Sequence, residues 1–291
     1  MDTALILTDP TPRATARRSD GSVGQPSHGT SCPVGTIGCT LPAVLARSLV
    51  CLLVLIGAVG LKAEEARLAK LFLIGGSTMA TFPDTRPVVG WGQILPQHFK
   101  DPGRVDNRAK SGRSTKSFID QGLWDQVLAD LRAGDFLIMC WGTNDSASDP
   151  ARRTEPRKDF QGNLERMIRE CRTKGATPII ATSVARRVWT EQGAFVEPPS
   201  EYVVVSREVA AREDVPLMEL RGLTVELERS LGVEGSRGLH LYLEPGQYET
   251  YPNGSKDDTH YNRHGATRVS ELAVQEIRRL KLPLVDWLKQ P

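Results

Sequence analysis

The apolar positions change period several times between residues 69 and 282, and the order of those changes predicts strands alternating with helices. Residues 71–74 are an unbroken apolar run closed by Gly75 and Gly76, as expected of a strand buried on both faces that feeds a turn. A weaker strand covers 105–109. Ser111, Gly112, Arg113 and Ser114 then punctuate the chain, and Ser114 or Thr115 can cap a helix running on through Trp124, Val127, Leu128 and Leu131. The clearest central strand is 135–140, whose apolar run breaks abruptly at Trp141, Gly142, Thr143, Asn144 and Asp145. Phe160, Leu164, Met167, Ile168 and Cys171 recur at helical spacing until Gly175, ahead of a strand over 177–182. A helix over 202–212 leads to a last strand over 216–220. Residues 236–256 lose their period and read as a long loop, which in a compact domain is usually functional. Val269, Leu272, Ala273, Ile277 and Leu280 mark a terminal helix over 266–281.

This alternation predicts an α/β fold, a three-layer α/β/α sandwich around a central parallel sheet with right-handed crossovers. Ligands in such sheets bind beyond the carboxyl ends of the strands. Ser77, Gly112 and Asn144 all follow predicted strands, so they can converge on one cleft.

Composition changes the picture mainly at the N-terminus. Residues 1–47 are rich in Thr, Ser, Pro, Gly and Arg without any period, and are expected to be a disordered leader, some of it from a start codon placed too early. Residues 48–63, an apolar stretch behind Arg47 that ends in small residues, have the layout of a secretory signal; the run is shorter than the roughly 20 residues that span a bilayer, which favours a cleaved signal over an uncleaved signal-anchor. The expected location is therefore secreted or periplasmic, with no stable membrane insertion after cleavage, and the catalytic domain is expected over 64–291. The 37 basic and 35 acidic residues of the whole chain include five basic and three acidic ones before residue 64, so the remainder is balanced. Nothing in that balance suggests a nucleic-acid partner. Of the five cysteines only Cys140 and Cys171 follow the signal; they are either two small buried hydrophobes or a pair bonded after export.

The candidate chemistry lies in two places: the Gly75-Gly76-Ser77-Thr78-Met79-Ala80 turn, and Asp257-Asp258-Thr259-His260. A hydroxyl on a sharp turn after a strand, with an imidazole held by a carboxylate, is what nucleophilic ester cleavage requires. Ser77, His260 and Asp257 form the candidate triad, with Asp258 competing as the orienting acid. Taken alone, the glycine turn is equally a phosphate-binding nest in a flavodoxin-like protein. His264, four residues after His260, completes a superficially metal-like pattern, but no further ligand cluster accompanies it and neither metal nor cofactor is expected. His264 either caps the last helix or sits at the cleft rim, while His98 and His240 read as surface or loop residues.

In their order along the chain, Gly75-Gly76-Ser77, Gly112, Gly142-Thr143-Asn144-Asp145 and Asp257-Asp258-Thr259-His260 resemble the four blocks of the SGNH (GDSL-type) hydrolases. The stretches 77–80, 107–114 and 258–262 are most similar to the rhamnogalacturonan acetylesterase family, over roughly residues 69–282. The resemblance implies Ser77 as nucleophile, His260 as base and then acid, and Asp257 as the group orienting the imidazole. It also implies an oxyanion hole made by the Ser77 and Gly112 N–H groups and the Asn144 amide. The implied substrate is an acetylated polysaccharide or oligosaccharide, rhamnogalacturonan-like or xylan-like; an ester of another class, or polysaccharide binding with weak catalysis, are the alternatives. One position departs from the family: Gly76 stands where the motif carries aspartate, which puts the level of activity in question. Trp141, next to this block, is the candidate substrate-binding aromatic. Arg152, Arg153, Arg186 and Arg187 are placed either to meet uronic-acid carboxylates or to form a solvated face. The oligomeric state is not legible.

Overall fold

The computed structural model describes residues 67–290. The expected leader and signal segments lie outside the described residues.

Five parallel strands form the central sheet: β1 (Leu71–Gly75), β2 (Val105–Asn107), β3 (Phe136–Cys140), β4 (Thr177–Ala181) and β5 (Leu217–Met218), in the order β2-β1-β3-β4-β5. The strand order reverses between β1 and β3, the place where a crevice opens in such sheets. The helices are α1 (Trp91–Ile94), α2 (Thr115–Asp120), α3 (Leu123–Asp130), α4 (Gln161–Thr173), α5 (Glu201–Arg212), α6 (Leu220–Arg237) and α7 (Arg263–Leu280). Between α6 and α7 lies an antiparallel hairpin of β6 (His240–Leu243) and β7 (Ser255–Tyr261).

Side chains alternate along each strand, so the sheet divides the core into two layers. Leu71, Leu73, Ile138, Ile179 and Met218 pack with Trp91, Leu220, Val269 and Ile277, under α1, α6 and α7. Phe72, Ile74, Leu137, Met139 and Ile180 pack with Phe118, Trp124, Met167 and Val205, under α2 to α5. Both faces are covered, which explains the uninterrupted apolar runs of β1 and β3. Cys140 belongs to the first layer and Cys171 to the second; both are buried and free, as the two-hydrophobe reading requires. Among the described residues no helix is long and apolar enough to cross a membrane.

Two predicted elements differ from the observed ones. The single helix expected after Ser114 is two: Ser114 and Ser117 form a reciprocal capping box for α2, and Gly122, with φ 67°, breaks the run before α3. The expected loop over 236–256 is in part ordered: α6, kinked at Gly232, continues to Arg237, and β6 pairs with β7. An unbroken run of polar residues from Ser255 to His260 hid the β7 strand. His240, expected at the surface, is buried on β6 and lies 2.6 Å from Glu228 of α6. His98 is half-buried, and burial pushes its imidazole pKa down.

α7 is anchored to the hairpin by its cap. Asn262 accepts from the Gly265 N–H at 3.0 Å, while its amide donates to the carbonyls of Gly238 and His240 at 2.9 and 3.0 Å. Asn262, rather than His264, is thus the cap. Asn262→Ala removes all three bonds and should lower stability by about 2 kcal/mol. The expected readout is a lower urea midpoint at unchanged slope, and an unmoved midpoint would show that the cap does not hold the hairpin.

Candidate active site

Ser77 sits in the turn directly after β1. The turn is tied by its own backbone, with Met79 and Ala80 N–H donating to the Gly76 carbonyl at 3.2 and 3.1 Å, and by α1, whose Trp91 N–H donates to the Thr78 carbonyl at 2.8 Å. Ser77 is buried at 7 % exposure, so its hydroxyl faces the interior of a cleft.

His260 Nε2 lies 2.8 Å from Ser77 Oγ, and His260 Nδ1 lies 2.7 Å from Asp257 Oδ2. Acid and base were expected on a short loop; they stand on β7. A regular strand would separate residues three apart by about 10 Å and point them to opposite faces. Here the register breaks: His240 pairs with Tyr261 while Leu241 pairs with Asp257, so residues 258–260 bulge out of the ladder. Asp257 Oδ1 closes the bulge by accepting from the Thr259 and His260 N–H groups at 2.8 and 3.0 Å.

Burial would raise the Asp257 pKa, but the His260 ring and these two N–H groups outweigh it and bring it from the ordinary 3.8 to about 2.

Asp258 turns to a different partner. Arg187, buried, donates to Asp258 Oδ1 at 2.9 Å, Ser236 Oγ at 3.0 Å and the Val233 carbonyl at 2.6 Å. Tyr242 Oη donates to the same Asp258 oxygen at 2.6 Å. The geometry therefore separates the two acids: Asp257 meets the imidazole, and Asp258 locks the hairpin to α6. Arg187 was one of four arginines offered for substrate carboxylates; its guanidinium points inward.

The other side of the cleft is built after β2 and β3. The Arg108 and Lys110 N–H groups donate to the Leu73 and Gly75 carbonyls at 2.9 and 3.0 Å, which carries the turn at Gly112 alongside the end of β1. Gly112 has φ 75°, a conformation that favours glycine. Among the described residues, neither the Ser77 nor the Gly112 N–H has a hydrogen-bond partner. Asn144 Nδ2 donates to the Arg113 carbonyl at 2.9 Å, which uses one of its two amide hydrogens. Three donors are therefore left for a ligand, and two of them, on Ser77 and Asn144, line one hollow.

Asp145, fully buried, holds this loop in place. Its Oδ1 accepts from the Thr115 N–H and hydroxyl at 3.0 and 2.6 Å and from Thr154 Oγ1 at 3.2 Å, and its Oδ2 accepts from the Gly142 N–H at 3.1 Å. Burial pushes its carboxyl pKa up, and the four donors oppose that push. Sequence reasoning saw Asp145 only as part of a block; nothing in the sequence reveals that distant Thr115 and Thr154 converge on it. Trp141, expected to meet substrate, is 4 % exposed and packs edge-on against Phe118 at 5.1 Å, so it forms a wall under the site and offers no face to a sugar ring. His264 is exposed on the first turn of α7, and among the described residues no group of three metal-ligating side chains occurs.

A hydroxyl on an imidazole backed by a carboxylate, with unpartnered donors of Ser77 and Asn144 lining the same hollow, is the equipment of acyl transfer. On an open parallel sheet it defines an ester hydrolase of the α/β class. The chain belongs to the GDSL-like lipase/acylhydrolase family, whose profile matches residues 73–268. It is 36 % identical over 220 residues to the rhamnogalacturonan acetylesterase RhgT of Bacillus subtilis, covering 75 % of this chain and 94 % of that one. It is 32 % identical over 222 residues to the probable rhamnogalacturonan acetylesterase YesY of the same organism, covering 74 % and 95 %. Among solved structures, protein YxiM of Bacillus subtilis superposes with a TM-score of 0.64 at 26 % identity, covering 77 % of this chain and 60 % of that one.

Two outcomes follow. Both Asp145 oxygens face a main-chain N–H, so an amide there must aim its own NH2 at one of them; Asp145→Asn should cost about 2–3 kcal/mol and lower kcat, and wild-type melting with wild-type kcat would show that the loop is held otherwise. Because the Asp257 pKa is depressed from 3.8 to about 2, its contribution to stability is whole above pH 4 and fades as the pH falls through 2. Acid-unfolding curves of wild type and Asp257→Asn should therefore differ above that window and converge below it, and parallel curves throughout would be the contrary result.

Proposed function

We propose that this protein is a serine esterase that removes acetyl groups from an acetylated polysaccharide of the rhamnogalacturonan type through an acetyl-Ser77 intermediate. The observation that carries the reading is the continuous contact from Asp257 Oδ2 through His260 to Ser77 Oγ, at 2.7 and 2.8 Å. The substrate class is supported by the relatives named for rhamnogalacturonan, two of them above 30 % identity across most of their length.

In the first step Ser77 Oγ attacks the acetyl carbonyl while His260 Nε2 takes its proton, and Asp257 stabilises the imidazolium. The carbonyl oxygen gains charge within reach of the Ser77 N–H, the Gly112 N–H and the free hydrogen of the Asn144 amide. Each such donor contributes about 2.7–4 kcal/mol to the transition state. His260 then returns the proton to the departing sugar hydroxyl. Water, deprotonated by His260, attacks acetyl-Ser77 in the second half, and acetate leaves. The hollow beside Ser77, walled by Gly76, Arg113, Trp141 and Asn144, measures about 10 Å³. That is room for about one water-sized group, a size that agrees with an acetyl methyl. This favours acetyl over lipid esters.

Acetate release from acetylated rhamnogalacturonan, together with a fluorophosphonate adduct confined to Ser77, is the expected result. Ser77→Ala and His260→Ala should each lose about 10⁴-fold or more in kcat while melting as the wild type does. Retained turnover in either variant would remove the assigned residue from the mechanism.

A further inference from the structure

The residues after β4 open a second hollow. It measures about 220 Å³, is lined in part by Ser183, Arg186, Pro198 and Tyr202, and shares Gly142 and Thr143 with the hollow beside Ser77. The two thus adjoin at Gly142 and Thr143, and a group bound in one lies close to an ester bound in the other.

The charges in this hollow are unequally engaged. Arg221 is buried and donates to Glu197 Oε1 at 3.3 Å and to the carbonyls of Val184 and Pro198 at 3.0 and 3.3 Å. Glu201 accepts from Arg157 Nε at 2.7 Å. Arg186 is exposed, and among the described residues it makes no hydrogen bond or ion pair. Successive side chains of an extended segment point to opposite sides. Arg187 takes the inward side, where its N–H meets the Asp258 carbonyl at 2.9 Å, and Arg186 is left on the side of the cleft. Arg113, at the Ser77 hollow, donates only to neutral oxygens, Gln121 Oε1 at 2.9 Å and the Ser111 carbonyl at 3.0 Å. Glu201, already paired, is the single carboxylate lining either hollow. Arg113 and Arg186, which line one hollow each, are therefore the guanidinium groups of these linings that no carboxylate neutralises.

Of the other arginines considered for substrate binding, Arg152 is paired with Asp149 at 2.9 Å, and Arg153 lines neither hollow. Arg86 also lines neither hollow and lies over the rings of Phe82 and Tyr251.

We propose that Arg186 is a specificity residue that pairs with the carboxylate of an acidic sugar adjoining the acetylated one, which makes the enzyme select anionic over neutral acetylated polymers. The proposal rests on the polysaccharide deacetylase reading above. A planar guanidinium presents two parallel donors to a carboxylate, and Lys cannot reproduce that geometry. The contact lies away from the reacting carbonyl and is made equally in ground and transition states, so it acts on KM and leaves kcat unchanged.

The test compares acetate release from three substrates: acetylated rhamnogalacturonan, the same polymer with its carboxyls reduced to alcohols and its acetyl content restored, and 4-nitrophenyl acetate. For the wild type, reduction should raise KM about 10-fold, the effect of one charge-assisted contact. Arg186→Ala should raise KM on the acidic polymer by the same factor and abolish the difference between polymers. Its kcat/KM on 4-nitrophenyl acetate should stay at the wild-type value, which also reports that the variant is folded. Arg153→Ala should retain full discrimination, and salt near 1 M should erase it in the wild type, where the screening length falls to about 3 Å. Discrimination that survives Arg186→Ala, or a wild type that treats both polymers alike, overturns the role of Arg186 and leaves the deacetylase reading intact. Turnover of 4-nitrophenyl acetate with release from neither polymer overturns both.

Discussion

The parallel pairing of β1 with β3 is the constraint on which the site depends. It runs in register from Leu71 opposite Phe136 to Gly75 opposite Cys140, so both strands end at the same level. The turn carrying Ser77 and the loop carrying Asn144 therefore leave the sheet side by side, at the reversal of strand order. Slipping this pair by one residue would exchange the two packing layers, burying Phe72 and Ile74 against α7 and exposing the wrong set to α4. The same slip would carry the nucleophile away from the amide meant to meet its oxyanion. Core packing and catalytic alignment are thus one requirement.

Only half of the site comes from the sheet. The acid and base stand on a hairpin outside it, and their position rests on a local irregularity and on its fastenings. Asp257 closes the bulge with backbone bonds, and Arg187 ties Asp258 and Tyr242 to α6. Behind the hairpin, His240 and Glu228 pair where both are buried, at 2.6 Å. The polar cluster around Arg187 resists opening because losing its partners would strand the buried guanidinium. The imidazole is thereby delivered to Ser77 by a surface as firm as the sheet, although a hairpin of two strands alone would be marginal.

How far this was legible from the chain depends on how local the cause was. β1 and β3 were readable because burial on both faces demands an unbroken apolar run, and Ser114 was readable as a cap because capping depends on near neighbours. Ser77, Asn144 and His260 stood out for the same reason, since their residue types sit at sharp breaks in pattern. β7 was not readable: its residues are mostly polar, and its pairing with β6 is set by packing under α7. His240 looked like a loop residue because only Glu228, twelve positions earlier and on a helix, justifies its burial. Trp141 looked like a platform because its adjacency to Asn144 was visible, while its contact with Phe118 was not. The arginines show the limit most clearly, for residues 186 and 187 are identical in type and adjacent, yet one is a buried tie and the other faces the cleft.

Gly76 bears on the chemistry through the amide beside it. The turn at Ser77 keeps its backbone bonds and the bond from Trp91, so a carboxylate at 76 is not needed to restrain it. A Cβ at this position would lie 2.7 Å from Asn144 Nδ2 and 3.4 Å from the Arg113 carbonyl. A side chain there has to push the amide aside, and a carboxylate would in addition accept its second hydrogen, the one not given to Arg113. It would also place a negative charge beside the oxygen that becomes negative during attack, where like charges in a site shielded from water repel strongly. Glycine leaves the second amide hydrogen and the Ser77 N–H for that oxygen. In this chain the donor geometry is therefore built around the missing side chain, and the departure at 76 belongs to the way the oxyanion is held.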